Sequence, residues 1–514
     1  MLVYTCEQMR VIEENADVNG LSYLEMMERA GKGCAKKINS VLSGNINFQK
    51  SAVILCGTGK NGGDGYVIAG SLCDMGYNVR IILVDGYPEA YESKMMYSYL
   101  EDKPVVASDL EKNYAACVAA CQSASAIVDC IFGIGFHGEL DERIAGFFKD
   151  ISDSRAKRFA VDIPSGLEGN SGEIKSACFD ADHTLAITCY KPVHILKPAA
   201  DKCGIVSLID IGIDASCYEA VSSDVVYTAD TQEIAKFFKP RRPDSNKGDY
   251  GRLLCVAGSR NMQGAAVMAA QAAVNSGAGV VTCVFPESAY PAIAAKLTEP
   301  LTVPMRETAA GTLSNENAAE LLSMAERSDA ILLGCGLGLD ADTCSLVYGL
   351  LTGTDRPVIL DADGINAVAL NMNVLKEASA PVIITPHPGE MARLTGLSVD
   401  EIQRDRVGTA GNFAAEYGCI TVLKGSNTVV AAPSGNVYVN RTGNAGMSTG
   451  GSGDVLAGII ASFVCQRMGL QSAAVSGVYV HGMCGDVVCR KLSMRGVTPM
   501  RMIGELAEVL SNFE

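Results

Sequence analysis

The chain has 514 residues, too many for one ordinary domain and enough for two to four. With 48% hydrophobic and 19% charged residues and 53 glycines, it reads as a Gly-rich α/β enzyme, not a disordered or coiled-coil chain. A formal net charge of −16 repels phosphate backbones, which excludes nucleic acid as a main partner.

Nineteen cysteines form no C-x-x-C pair and stand mostly in apolar runs, so reduced, buried thiols are expected. The start MLVYTCEQMR lacks the features of a signal peptide, and the most apolar long window, 267–285, is broken by Gln271, Asn275 and Ser276. A soluble cytoplasmic protein with no membrane partner is therefore expected.

The first half opens on a helical pattern at about 8–40. Short unalternated apolar runs follow at 51–56, 79–84, 125–129, 158–163, 183–188 and 204–209, the signature of parallel strands buried on both faces. After the first run, CGTGKNGGDGY (56–66) spells a GxGxxG with Gly57, Gly59 and Gly62, and Asp85 ends the next run near the place of a ribose-binding acid. The pattern is weak evidence. Lys60 is followed by Asn61, so this is no Walker loop, and neither His137 nor His183 belongs to a recognisable hydride-transfer site.

Ligands of parallel α/β sheets sit outside the carboxyl ends of strands. Three such ends deliver Asn61 and Asp64, then Asp129, then Asp162 and Ser165. One alternative is that these residues merely cap helices. The other is a shared site of one amide, three carboxylates and a hydroxyl.

With KNGGDGYVIA (60–69), VDIPSGLEGNSG (161–172), TLAITCYKP (184–192) and the opening EQMRVIEENA (7–16) and LEMMERAG (24–31), about residues 1–215 resemble the NAD(P)H-hydrate epimerase domain. That resemblance implies that the dinucleotide is a damaged substrate, not a redox cofactor. It implies that Lys60, Asn61, Gly62, Gly63 and Asp64 hold the hydrate together with Gly133, Ile134, Gly135, Phe136, His137, Gly138 and Glu139. Asn61, Asp129 and Ser165 would bind K+, consistent with hard oxygen ligands. Asp162 would act as acid or base at the C6 carbinol.

The pattern loosens between about 211 and 250, which places a domain boundary near 220–226. Within this stretch KPRRPDSNKGDYGR (239–252) is either a solvated linker or a local anion pocket. A second β/α alternation follows, with runs at 252–257, 279–285, 329–334, 356–361, 381–385 and 419–423, and TVVAAP (428–433) suggests a small antiparallel addition.

Near the C-terminus, Gly450, Gly451, Gly453 and Asp454 precede an apolar helix. Such a turn is either a glycine-rich cap or a phosphate site with a base at its mouth. Lys424 and Ser426–Thr428 follow one strand end and His387 another.

RRPDSNKGDYGRLLCVAGS (241–259), QGAAVMAAQAAVNSGAG (263–279), LDADG (360–364), TPHPGE (385–390) and GGSGD (450–454) resemble the ribokinase-like fold, and more closely the ADP/ATP-dependent NAD(P)H-hydrate dehydratase. This implies that Lys424, Gly425, Ser426, Asn427, Thr428 and Gly453 bind the nucleotide, and that Ala265, Gly338, His387 and Asp454 face the hydrated nicotinamide, with Asp454 as catalytic base.

The expectation is thus two α/β domains: an N-terminal Rossmann-like parallel-sheet sandwich, 1–220, and a C-terminal ribokinase-like domain, 226–514. Together they would epimerise R and S hydrates of NADH and NADPH and dehydrate the S form, with ADP as co-substrate and Mg2+ beside it. The resemblance also implies a homo-oligomer. The rival readings are a hydroxyl kinase of the ribokinase-like group, and an N-terminal half that only binds nucleotide.

Overall fold

The structure, a computed structural model, describes residues 1–43, 49–219, 221 and 226–514. The chain divides into two compact units, Met1–Ser223 and Asp224–Glu514. Most of the stretch expected to hold the boundary, 220 and 222–225, lies outside the described residues.

In the first unit the six apolar runs become strands β1 (Ser51–Cys56), β2 (Asn78–Leu83), β4 (Ala126–Cys130), β5 (Lys157–Val161), β6 (His183–Ile187) and β7 (Ile205–Ile209), and Val106–Asp109 adds β3. They form a parallel sheet in the order β3-β2-β1-β4-β5-β6-β7, so the chain reverses direction across the sheet between β1 and β4.

Successive side chains of each strand enter opposite layers, as the pleat requires. Ile54, Val128 and Phe159 join the layer holding the helices Cys6–Val18, Tyr23–Ser43 and Lys60–Asp74. Val53, Leu55, Ile127 and Ala160 join the layer holding Tyr114–Ser123 and Glu142–Asp150.

The opening helical stretch is two helices. Thr5 and Gln8 form a capping box at the start of the first, and Gly20 (φ +98°) breaks the run just after it. The edge strand β3 was not legible as an apolar run, because its VASD sequence is half-polar and exposed.

The second unit contains β8 (Val226–Tyr227), β9 (Arg252–Val256), β10 (Val280–Pro286), β11 (Leu301–Met305), β12 (Ala330–Leu333), β13 (Val358–Leu360), β14 (Val382–Ile384), β15 (Ile420–Leu423), β16 (Val429–Ala431) and β17 (Val437–Val439). Their order is β8-β17-β16-β15-β14-β13-β12-β9-β10-β11. The sheet is parallel from β11 through β15, and β16 and β17 add the antiparallel pair expected around 428–433. The reversal lies between β9 and β12.

The basic stretch 239–252 is not a free linker. Arg241 lies 3.9 Å over the Tyr250 ring and donates to Gly277 O at 2.7 Å. All nineteen cysteines are thiols, sixteen of them buried. Among the described residues no helix is long and apolar enough to cross a membrane.

Candidate active sites

In the first unit a cavity of about 550 Å³ opens at the carboxyl ends of β1, β4 and β5, where the topology reverses. The helix Lys60–Asp74 points its N-terminus there, capped only by the backbone of Gly59, so first-turn N–H groups face the cavity wall built by Thr58, Gly59, Lys60 and Asn61. Gly62 must be glycine, because a Cβ there would meet Gly57 O at 2.0 Å.

Asn61 Nδ2 donates to Phe132 O at 2.8 Å, and Phe132 N donates to Ser165 Oγ at 3.0 Å. Ser165 Oγ in turn donates to Asp129 Oδ1 at 2.7 Å, while its own N–H donates to Asp129 Oδ2 at 2.8 Å. Phe132 thus links the three residues expected around K+. Asp129 is fully buried, and desolvation pushes its carboxyl up to about 6 against three lowering hydrogen bonds.

Asp162 follows β5 with φ +63°, a conformation Asp tolerates better than most side chains. Its Oδ1 lies 2.5 Å from Nζ of Lys191, which is 1% exposed and also donates to Ile187 O at 2.7 Å. Burial works against the charge on Lys191, but Asp162 outweighs it and the ammonium is held above its usual range. Lys191 N donates to His194 Nδ1 at 3.0 Å, so Nε2 carries the ring proton and donates to Asp162 O at 2.7 Å. Asp64 also lines the cavity, its carboxyl pushed up by burial and then by Asp162 and Glu13.

Gly133, Ile134, Gly135 and Phe136 line the cavity, whereas the exposed residues His137, Gly138 and Glu139 continue beyond it. Gly138 N donates to Glu168 Oε1 at 2.9 Å. Gly62 and Gly63 are buried inside the helix turn. Asp85 takes no part, being paired with Arg143 at 2.6 Å. Lys191 and Glu13 were missed by sequence reasoning, and both line the cavity.

In the second unit the ends of β12, β13, β14 and β15 converge on the N-terminus of the helix Ser452–Cys465. Gly334 follows β12 at φ +128°, where a Cβ would strike Asp361 O at 1.9 Å. Asp361, 1% exposed, accepts from Lys424 Nζ at 2.7 Å and from Thr385 Oγ1 at 2.6 Å. Burial raises its carboxyl, but Lys424 and these hydrogen bonds hold it below the usual range.

Cys335 Sγ and one carboxylate oxygen each of Asp361 and Asp454 lie within 4.8 Å of one another. Burial, followed by repulsion from Asp361, pushes Asp454 up to about 7. A Cβ on Gly453 would sit 3.2 Å from Lys424 Nζ. Lys424 therefore belongs to the carboxylate cluster as much as to the loop that follows it.

In that loop Gly425 and Ser426 are exposed. Asn427 is buried with Nδ2 donating to Asn440 O at 3.0 Å, and Thr428 Oγ1 donates to Gly425 O at 3.2 Å. His387 caps the helix Pro388–Thr395, its Nδ1 accepting from Gly389 N at 3.0 Å and Glu390 N at 3.2 Å. Glu390 reaches back toward Lys424 at 3.8 Å. Burial, then Lys424 and Arg393, push His387 below its ordinary value, which favours the neutral ring. Ala265 abuts the glycine turn after β12, where a Cβ on Gly336 would meet its Cβ at 2.9 Å; Gly338 N donates to Asp363 Oδ2 at 2.8 Å. Asp361 and Glu390 stood inside motifs already singled out but carried no assigned role, and Cys335 stood just past the apolar run 329–334.

Comparison with known proteins agrees with this division. A family described as NAD(P)H-hydrate dehydratase matches residues 253–508, and one described as YjeF-related protein N-terminus matches residues 23–193. The bifunctional NAD(P)H-hydrate repair enzyme Nnr of Moorella thermoacetica is 36% identical over 494 residues, covering 95% of this chain and 92% of its own. The enzyme of the same name from Escherichia coli is 32% identical, covering 97% of this chain and 92% of its own. Among solved structures, a ribokinase-like superfamily protein from Enterococcus faecalis is 28% identical with a TM-score of 0.50, covering 56% of this chain and 96% of that one.

Proposed function

This chain belongs to the family of bifunctional NAD(P)H-hydrate repair enzymes, and from that membership we propose how its two centres divide the work. It repairs hydrated NADH and NADPH, epimerising R and S hydrates in one domain and dehydrating in the other. We assign epimerisation to 1–220 and dehydration of the S form to 226–514.

The observation that carries the second assignment is Asp454, a carboxyl near neutrality at the mouth of the helix Ser452–Cys465, beside the Lys424–Asp361 pair. A base poised there takes the C6 hydroxyl proton as that oxygen attacks the terminal phosphorus of ADP, releasing AMP. Lys424 and the first-turn N–H groups of the helix meet the phosphoryl charge. Phosphate then leaves C6, the ring nitrogen supplying the electrons, and loss of a C5 proton restores the dihydronicotinamide. The oxygen of the hydrate ends in inorganic phosphate. Gly425 and Ser426 lie exposed for contact with the nucleotide, and His387 offers a neutral ring to the nicotinamide side.

Mg2+ would arrive with the nucleotide phosphates and neutralise their charge. Asp361 and Glu390 suit it as oxygen donors, whereas the Cys335 thiol does not.

In the first unit the hydrated ring would lie against Lys60, Asn61 and Gly133–Phe136, with the pyrophosphate at the N-terminus of the helix Lys60–Asp74. Asp162, its charge stabilised by Lys191, is the base at C6. Asn61, Asp129 and Ser165 fit K+ as an amide, a carboxylate and a hydroxyl linked through Phe132. The cation would supply positive charge beside the bound anion. Cytoplasmic placement and a homo-oligomeric state complete the proposal.

The test is recovery of 340 nm absorbance from a prepared mixture of R and S NADH hydrates with ADP, Mg2+ and K+. Full recovery by the whole chain, about half at early times by 226–514 alone, and none without ADP or ATP is expected. Accumulation of a phosphorylated product in place of NADH would overturn the dehydratase reading and favour a hydroxyl kinase.

A further inference from the structure

The helix Cys6–Val18 buries Met9, Ile12 and Ala16 against the core. Positions 9, 12, 13 and 16 form one i, i+3, i+4, i+7 stripe, so Glu13 occupies a place where an apolar side chain belongs. Glu13 lines the 550 Å³ cavity together with Asp162 and Lys191, but on a different element. Among the described residues its carboxyl receives no hydrogen bond and makes no ion pair. A half-buried, unpartnered acid placed on a core stripe and facing a substrate cavity has its partner in the ligand.

We propose that Glu13 is the second acid–base residue of the epimerase, the proton donor that complements Asp162. This rests on the epimerase reading of the first unit. The hydrate carries a hemiaminal carbon, C6, bonded to the ring nitrogen and a hydroxyl. Inverting it by loss and re-addition of water calls for one group that is protonated and one that is ionised.

The two carboxyls have different surroundings. Asp162 is ion-paired at 2.5 Å with the Lys191 ammonium. Glu13 feels Lys191, Asp162, Lys60 and Arg10, with Asp64 and Tyr23 nearby, and burial dominates, pushing it up to about 7.

The step balances. Glu13 gives its proton to the C6 hydroxyl, the C6–O bond breaks, and the ring nitrogen lone pair forms C6=N+. A water molecule leaves. Another adds to the opposite face, forming the new C–O bond and giving its proton to Asp162. The carboxyls end with exchanged protonation, the state from which the reverse epimerisation starts.

The experiment uses the full chain and pure S hydrate without ADP, following R hydrate by chromatography with the uncatalysed rate subtracted. Glu13→Gln is expected to lower kcat by about 100-fold or more while KM stays within about threefold. Wild-type kcat falls as pH rises above about 7, because the donor must keep its proton; Glu13→Gln loses that alkaline limb and Glu13→Asp retains it at a reduced rate. The urea-denaturation midpoint of the first unit is the control for folding, and ADP-dependent recovery of NADH from S hydrate, the work of the other unit, stays equal in all three proteins. Full epimerisation by Glu13→Gln, or a loss of rate with the alkaline limb intact, overturns the proposal and leaves the epimerase reading standing. A wild-type chain that does not epimerise overturns both.

Discussion

Lys191 and Asp162 face each other at 2.5 Å with the lysine 1% exposed, and the backbone carbonyl of Asp162 is tied to the same turn through His194. A lysine this deep is tolerable only as half of a pair. Lys191→Met leaves the Asp162 carboxylate unpaired and should cost the first unit about 3–5 kcal/mol, read by urea denaturation. Adding Asp162→Asn should recover most of the stability and none of the epimerisation. If Lys191→Met unfolds at the wild-type midpoint, the pair does not hold this site.

Asp454→Asn should lower ADP-dependent dehydration by about 10²–10⁴-fold and leave epimerisation untouched, since the base is lost from one unit only. In the wild-type chain dehydration should decline as pH falls through about 7, where Asp454 takes up its proton. A dehydratase rate flat from pH 8 to pH 5 would remove Asp454 from that role.

The same residue makes an opposite prediction for stability. Its folded pKa is raised, so the folded state keeps a proton that the unfolded chain has already released; the contribution is complete below the unfolded value near 4 and lost as pH rises through about 7. Asp454→Asn should therefore raise the melting temperature of the second unit at pH 8 and leave it unchanged at pH 4. Equal melting temperatures at pH 8 would contradict the burial cost assigned to this carboxyl.

Replacing K+ with Na+ should slow epimerisation without affecting dehydration, and Asp129→Asn should abolish that difference. Asp129 also accepts from Ser165 and Ile131, so part of the effect will be structural. Titrating K+ against rate in wild type and variant separates the two, because a structural loss lowers the plateau and leaves the half-saturating concentration in place.

The sheets were legible because a strand buried on both faces must be an unbroken apolar run, and the ends of such runs carried Asn61, Asp129, Asp162 and His387. The edge strands β3 and β11 escaped for the converse reason: each has a solvent-facing side, and Pro304 interrupts the second. Lys191 was visible only as a basic residue before Pro192, and nothing local marks it as buried beside a carboxylate 29 residues upstream. The Lys424–Asp361 pair spans 63 residues and forms only when β13 and β15 flank β14. Glu13 left one signal, an acid at a core position of its helix, which a helical-wheel reading of EQMRVIEENA would have exposed.

Each centre is assembled from strand ends belonging to one unit. The covalent link therefore fixes a dosage: every translated chain delivers one isomerising and one dehydrating centre, whatever the expression level. A cell carrying this gene cannot accumulate the stereospecific half without the half that keeps it supplied, and the ratio needs no separate control of two transcripts.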